Sequence, residues 1–346
     1  MDSTILLFIL QDGIVTGAIY ALLGVAFVMV FAVSRVIFVP QGEFVAFGAL
    51  TIASLSEGLV PGTAWLMLGL GIAAFVADCI ADRRLITLKW LLRRLALDIG
   101  LPLVILGIAK VLAPMHLNIL IQILLTFALT IPNGPYLYRL AFRPLSGASV
   151  LVLMITAIGV HLALIGLGLL VFGPEGYKME PLWDAQFDLG PLPVTGQNIL
   201  MVAGAFLVML ALWLFFETSR TGKALRAVAV NRVGARLVGI PTELAGQLAF
   251  GLAAALGTLA GILIISTTTV FYDTGFLIGL KGFVAAIIGG LAAYPPTVFA
   301  ALFVGLVESF SSFWASAFKE VIVFSLLVPV LLWRSLTNTA HDDEED

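Results

Sequence analysis

Glu43 is the residue whose chemistry is hardest to place. It lies in the stretch "SRVIFVPQGEFVAFG", Ser34 to Gly48, eight residues beyond Arg35 and directly after Pro40, Gln41 and Gly42. A charged group at mid-membrane costs about 2.5–3.5 kcal/mol on insertion scales unless it is hydrated, paired or protonated. Pro40 cannot donate a backbone hydrogen bond, and Gly42 weakens a helix. Non-helical backbone at membrane depth is tolerated only where protein or water covers it, and such breaks commonly mark a solute path. If Arg35 marks a membrane edge, eight helical residues reach about 12 Å inward; a broken segment reaches a different depth. Two readings stand. Glu43 lines a path or holds its gate, or it accepts hydrogen bonds from the N–H groups freed by the break. A second candidate break is Gly289–Gly290, with Pro295 and Pro296 beyond it, and the two breaks are candidates for equivalent parts of an internal repeat. The pathway candidates are therefore Gln41, Gly42, Glu43, Gly289 and Gly290. Lys281 and Glu308 also fall in apolar runs and read as structural or interfacial.

The solvent around these residues follows from composition. Of 346 residues 61% are hydrophobic and only 11% charged, with a mean hydropathy of +1.11. A soluble domain carries roughly a quarter charged residues. The apolar runs are of transmembrane-helix length, and the short alternating segments of a β-barrel are missing. The first residues, "MDSTILLF", lack a basic n-region, so the first helix is expected to act as its own insertion signal. One cysteine, Cys79, leaves no internal disulfide and no cysteine-based metal cluster, and His116, His161 and His341 are scattered. No metal site and no catalytic residues are expected.

About eleven apolar runs lie near 5–33, 37–56, 64–80, 99–113, 119–138, 149–172, 197–216, 244–266, 276–294, 297–314 and 319–333. The fold class expected is all-α: a polytopic bundle of about 9–11 spans with broken or half-helices. Two strongly basic segments, Arg83–Arg94 and Arg220–Arg236, belong in the cytoplasm. The acidic, Pro- and Gly-rich segment 173–196 reads as an external loop. Counting spans from these anchors puts Arg35, Arg139, Arg143 and Arg334 inside, the N-terminus outside and the C-terminus inside. Trp65, Trp314 and Trp333 fall at span ends, where amphipathic rings settle. Gly13 with Gly17, and Ala253 with Gly257 and Gly261, mark faces for close helix packing. The tail 335–346, ending "HDDEED", reads as a short solubilising end.

Glu217–Ile240, "ETSRTGKALRAVAVNRVGARLVGI", is too long for a simple turn and reads as partly helical. Its "TGKA" fails as a phosphate-binding loop, because Glu217 and Ala224 stand where a Gly and a Ser or Thr are required. The chain has no nucleotide site of its own, and a docking role suits this segment better than topology enforcement alone. The segment resembles the coupling-loop region of permease subunits from bacterial ABC importers of the branched-chain amino-acid family. "DGIVTGAIYALLGVAFVMVFAVSRVI", "RLAFRPLSG", "GLKGFVAAIIGGLAAYPPTVFAALFVGLVESF" and "AFKEVIVFSLLVPVLLWR" resemble other parts of that family, in its order. There are departures. The family pattern close to Asn-Phe-Ala-His-Gly-Glu stands here as Phe38, Val39, Pro40, Gln41, Gly42 and Glu43. Residues 81–130 look like an insertion, with a basic interfacial helix and a hairpin, and "RRLITLKWLLRRLALD" lacks a clean apolar stripe.

The resemblance implies a single permease domain over 1–334 with a coupling loop at 217–243. It implies a second permease subunit sharing one pathway, two ATP-binding subunits, a periplasmic solute-binding protein, and no cofactor on this chain. Gly222, Arg226, Arg232, Ala235, Arg236, Gly239 and Ile240 are the expected coupling residues: the small and apolar ones seated in the ATPase groove, the arginines paired with its acidic groups. The solute expected is a branched-chain amino acid or related small polar molecule. The alternative is a stand-alone secondary transporter with Glu43 as a proton or ion site; a membrane scaffold is a third class. A coupling loop is needed only by the ATP-driven importer.

Overall fold

The computed structural model describes residues 3–81, 83, 87–115, 117–190, 192–291 and 293–338. Arg84, His116, His341 and the tail beyond 338 lie outside the described residues, as does the side chain of Arg334. Among the described residues the structure is mostly helical, with one two-stranded hairpin, and eight helices are long and apolar enough to cross a membrane. These include α1 (Ser3–Ser34), α3 (Gly62–Ala81), α4 (Leu88–Met115), α5 (Ile119–Phe142), α6 (Val150–Phe172), α7 (Gly196–Thr218) and α10 (Thr242–Ile264). Two central helices are short, α2 (Gln41–Ser56) and α11 (Thr274–Gly289), at 16 residues each. The basic loop folds as α8 (Arg220–Val230) and α9 (Arg232–Leu237).

The last two apolar runs form one hairpin. Here α12 (Tyr294–Ala315) leads through a short turn into α13 (Lys319–Ser325) and α14 (Leu327–Asn338). Residues twelve apart on a straight helix are about 18 Å apart. Yet Lys281 Nζ on α11 reaches Glu308 Oε1 at 2.5 Å and Glu320 Oε1 at 3.1 Å, so the chain reverses between them. The Tyr20 hydroxyl also donates to Glu308. Lys281 and Glu308 thus tie α1, α11, α12 and α13 together.

Small residues set the central packing. A Cβ on Gly13 or Gly17 would meet the backbone of Leu306 or Leu302 at 2.8 Å, and one on Gly261 would meet Val45 O at 2.1 Å. Both small-residue faces are therefore spent on contacts within the chain, α1 on α12 and α10 on α2. In lipid such close approach is what drives helices together.

Three findings depart from the sequence expectations. The external segment carries an antiparallel hairpin, β1 (Gln186–Leu189) with β2 (Leu192–Thr195), and bridges Tyr177 to Val270. The basic stretch and the run near 99–113 are one continuous helix, α4. Its first two turns place Leu88, Leu91, Leu92 and Leu95 at i, i+3, i+4 and i+7, an apolar stripe beside Lys89, Arg93 and Arg94. A π-turn at Ala96–Gly100 follows. It has a local cause: Pro102 cannot donate to the carbonyl of Asp98 four residues back. Finally, Arg139, expected on the cytoplasmic side, is buried between helices rather than solvated. It is 4% exposed and its guanidinium bonds Asp98 Oδ1 at 2.6 Å and Asp78 Oδ2 at 2.6 Å. Arg94 (3.2 Å) and Arg143 (3.0 Å) add to Asp78. Burial of an arginine at this depth requires such pairing.

Candidate functional site

Residues 35–40 leave α1 without helical structure, and Arg35 takes the left-handed backbone, φ 60°. Pro40 stands at the N-cap, where its missing N–H costs nothing, and α2 starts at Gln41. The break thus precedes a helix rather than interrupting one. Its depth follows from its partners. Gln41 Nε2 donates to the carbonyl of Ala253 at 2.9 Å, and Ala253 is the middle residue of α10. Glu43 Oε1 lies 2.7 Å from His161 Nδ1, and His161 is the middle residue of α6. The start of α2 therefore lies at half height.

The start of α11 meets it there. Phe276 stacks on His161 with ring centroids 4.3 Å apart. A Cβ on Gly275 would sit 2.0 Å from Gly42 O, and one on Gly42 would sit 2.2 Å from Gly275 O. Only glycine on both sides allows this backbone crossing. From it the two helices run apart. Gly261 packs on Val45 and Ala49, so α2 follows α10 toward Ile264; Gly282 packs on Leu23 and Gly24, so α11 follows α1 toward Ser34. Two half-length helices thus begin side by side at the centre of the bundle and end at opposite faces. Their N-termini, the positive ends of the helix dipoles, converge near Glu43.

Glu43 is 1% exposed, and every residue from Gln41 to Leu55 is buried. Its Oε1 is held by an imidazole, and its Oε2 is buried with no hydrogen-bond partner in the described structure, as is Gln41 Oε1. The family pattern carries a histidine two residues before the glutamate; here Gln41 stands there, and α6 supplies the imidazole. Gly289 and Gly290 do not join this site. They end α11, about 20 Å along the helix from Gly275, with Gly290 left-handed at φ 97°. Asp273, just before α11, is exposed.

The basic loop sits at the Ser34 end. Ala235 is buried, as is Gly222, where a Cβ would lie 2.3 Å from Phe215 O. The arginines bond within the chain: Arg226 to Glu217 at 2.8 Å, Arg232 to Ser146 O at 3.2 Å, Arg236 to Thr242 at 3.3 Å. Gly239 closes α9 at φ 84°, which favours glycine, and Ile240 is half-buried. Beside exposed Lys223, Arg226 and Arg236, the loop presents four apolar side chains outward: Val230, Val233, Leu237 and Val238, the last two 83% and 76% exposed. Arg143 Nε reaches Glu243 at 3.3 Å at the foot of α10, which links the end of the loop to the buried Asp78–Arg139–Asp98 cluster.

Comparison with known proteins gives the family. A family model described as branched-chain amino acid transport system / permease component matches residues 9–331. The high-affinity branched-chain amino acid transport system permease protein LivH of Escherichia coli (strain K12) is 33% identical over 205 residues, 56% of this chain. That alignment spans 65% of the E. coli protein's length. BraD of Pseudomonas aeruginosa, a protein of the same description, is 28% identical over 339 residues, covering 94% of this chain and 92% of its own. A probable branched-chain amino acid transport permease protein of Methanocaldococcus jannaschii is 28% identical over 186 residues, 52% of this chain and 59% of its own. No solved structure matches. With the family model matching nearly the whole chain, the protein belongs to the family of branched-chain amino acid transport system permease components.

Proposed function

We propose that this chain is one of two permease subunits of an ATP-driven importer for branched-chain amino acids or related small polar solutes. It works in the bacterial inner membrane, N-terminus outside and C-terminus cytoplasmic, and does no chemistry itself. ATP is bound and hydrolysed by two partner subunits, and a periplasmic binding protein delivers the solute. The observation that carries this reading is the pair of half-helices meeting at the bundle centre in a chain that also presents an exposed apolar, helical loop at one end. A membrane protein with nothing to dock has no use for Val233, Leu237 and Val238 in water.

In this reading residues 217–243 form the coupling loop, with α9 seated on the ATPase. Its movement passes through Thr242 into α10 and through Glu243–Arg143 into the buried ion cluster. Because α10 carries Gln41 and α2 on its small-residue face, rigid-body tilt of α10 shifts the Gly42–Gly275 crossing. Glu43, His161 and Phe276 hold that crossing shut, while exposed Asp273 and the start of α11 face the solute.

The test is reconstitution. With the second permease, the ATPases, the binding protein and internal ATP, liposomes should accumulate radiolabelled leucine; with this chain alone they should not. Ion-gradient-driven flux by the isolated chain would instead make it a secondary transporter.

A further inference from the structure

The described structure has two non-glycine residues with left-handed backbone, Arg35 (φ 60°) and Leu291 (φ 56°). Both line the same cavity, of about 440 Å³, together with left-handed Gly290. Such backbone is costly for any residue with a Cβ and gathers where a structure is shaped for a task. The cavity lies between the end of α1, the α11–α12 junction and helix α8, at the face that carries the basic loop. Its polar lining is cationic: the guanidiniums of Arg35 and Arg226, with Tyr294 beside them. The carboxylate at hand is Glu217, which pairs with Arg226 at 2.8 Å and leaves the mouth with one net positive charge.

A second cavity, of about 510 Å³, adjoins it. Phe216, Arg226 and Tyr294 line both, with the Phe216 and Tyr294 rings stacked at 5.4 Å. This second cavity is an apolar groove between α7, α1 and α12. Leading away from Arg226, it passes Trp213, Leu212, Met209, Val25 and Val298. On α1, Val25 is ten residues from Arg35, about 15 Å deeper into the bundle. Trp213 and Leu210, on the outer side of α7, are exposed. A cationic head cavity thus opens into an apolar groove that deepens along the membrane normal.

We propose that this paired cavity binds an anionic phospholipid of the leaflet on the loop side, its phosphate between Arg35 and Arg226 and one acyl chain along Met209, Leu212 and Val298. Basic pockets between transmembrane helices at the cytoplasmic side suit anionic headgroups, and the acyl chain contributes through burial of its methylenes. A free anion would use only the head cavity. Because Leu225, Arg226, Ala229 and Val230 of α8 wall that cavity, the bound lipid would brace the basic loop against the ends of α1 and α11.

The test is native mass spectrometry of the purified full-length chain, titrated with phosphatidylglycerol and phosphatidylcholine of identical acyl chains. It needs no ATPase and no transport, so it stands apart from the importer reading. The unaltered chain should retain phosphatidylglycerol about fivefold better, the scale expected from one net charge at a membrane surface. R35Q/R226Q should remove that preference, whereas K89Q/R93Q, which removes two charges on α4, should preserve it. V298W should fill the groove and lower retention of phosphatidylglycerol with both guanidiniums in place, which decides the matter should R35Q/R226Q fail to fold. Equal retention of both lipids by the unaltered chain, a preference surviving R35Q/R226Q, or an unchanged titration for V298W would overturn the proposal. So would full displacement by millimolar inorganic phosphate, which would mark a simple anion site.

Discussion

Gly42→Ala is the most informative single substitution at the bundle centre. The added methyl would lie 2.2 Å from Gly275 O, 2.7 Å from its carbonyl carbon and 3.1 Å from Phe276 Cα. Ordinary contact begins at 3.4 Å, so α2 and α11 must separate by about 1 Å. The obstacle is backbone on both sides, so no side chain can rotate away. Overpacking of this kind costs about 1–3 kcal/mol, and the rigid partner puts this case at the upper end. Alanine returns about 0.5–1 kcal/mol of helix propensity, leaving a net loss of about 2 kcal/mol. That corresponds to roughly a thirtyfold shift between a closed and a sprung crossing. The assay is thermal unfolding of the detergent-purified chain, together with ATP-driven uptake normalised to the amount in membranes. Both should fall, with insertion unchanged. Gly159→Ala on α6, where a Cβ meets nothing within 4 Å, is the control and should be neutral or slightly stabilising. Wild-type unfolding and uptake for Gly42→Ala would refute the tight crossing. An equal loss for Gly159→Ala would show that any helical glycine behaves this way.

Further substitutions probe three buried polar clusters. Glu43→Gln and His161→Phe should each lower uptake, and the double variant should lose less than the sum, with a coupling energy of at least about 1 kcal/mol in a double-mutant cycle; strict additivity would separate the two residues functionally. Arg139→Met should destabilise by about 3–5 kcal/mol, because it strands the buried Asp98 carboxylate and leaves Asp78 to Arg94 and Arg143 alone, and Arg139→Lys should not restore the bidentate contact to Asp98. A melting temperature equal to the parent's would contradict that. Lys281→Met should loosen the C-terminal hairpin by leaving Glu308 and Glu320 facing each other, seen as protease cleavage near Ala315–Phe318; an uncut hairpin would assign its closure to other contacts.

Which of these features a linear reading reveals depends on the range of the interaction. Pro40, Gly42 and Glu43 announce a break because their effects are local, and the helix does start at Gln41. The basic runs mark the loop for the same reason. The partner of Glu43 lies 118 residues away in an otherwise apolar helix, and nothing near His161 says what it faces. Asp78, Asp98 and Arg139 look like unrelated span-edge charges until three helices meet. The second half-helix is misplaced for a related reason: Gly289–Gly290 is the more obvious punctuation, but it caps the end of α11. The start of α11 at Thr274 is set by the crossing at Gly275, a contact between chain segments. On the loop, Ala235 has the small size that a seated contact needs, yet that smallness serves packing against the chain's own bundle. The outward face belongs to Leu237 and Val238, whose exposure only the folded loop reveals.

The claim at the centre of this account is that the α8–α9 loop seats an ATPase. The measurement that tests it most directly is co-purification of the ATP-binding subunits with chains carrying Leu237→Glu and Val238→Glu, both at exposed positions where the fold should tolerate them. Gly239→Glu is a companion that strains the left-handed cap itself. The account predicts that the ATPases are lost from the purified complex and ATP-driven uptake ceases, while the chain stays folded and membrane-inserted. Undiminished ATPase recovery with undiminished uptake would contradict it.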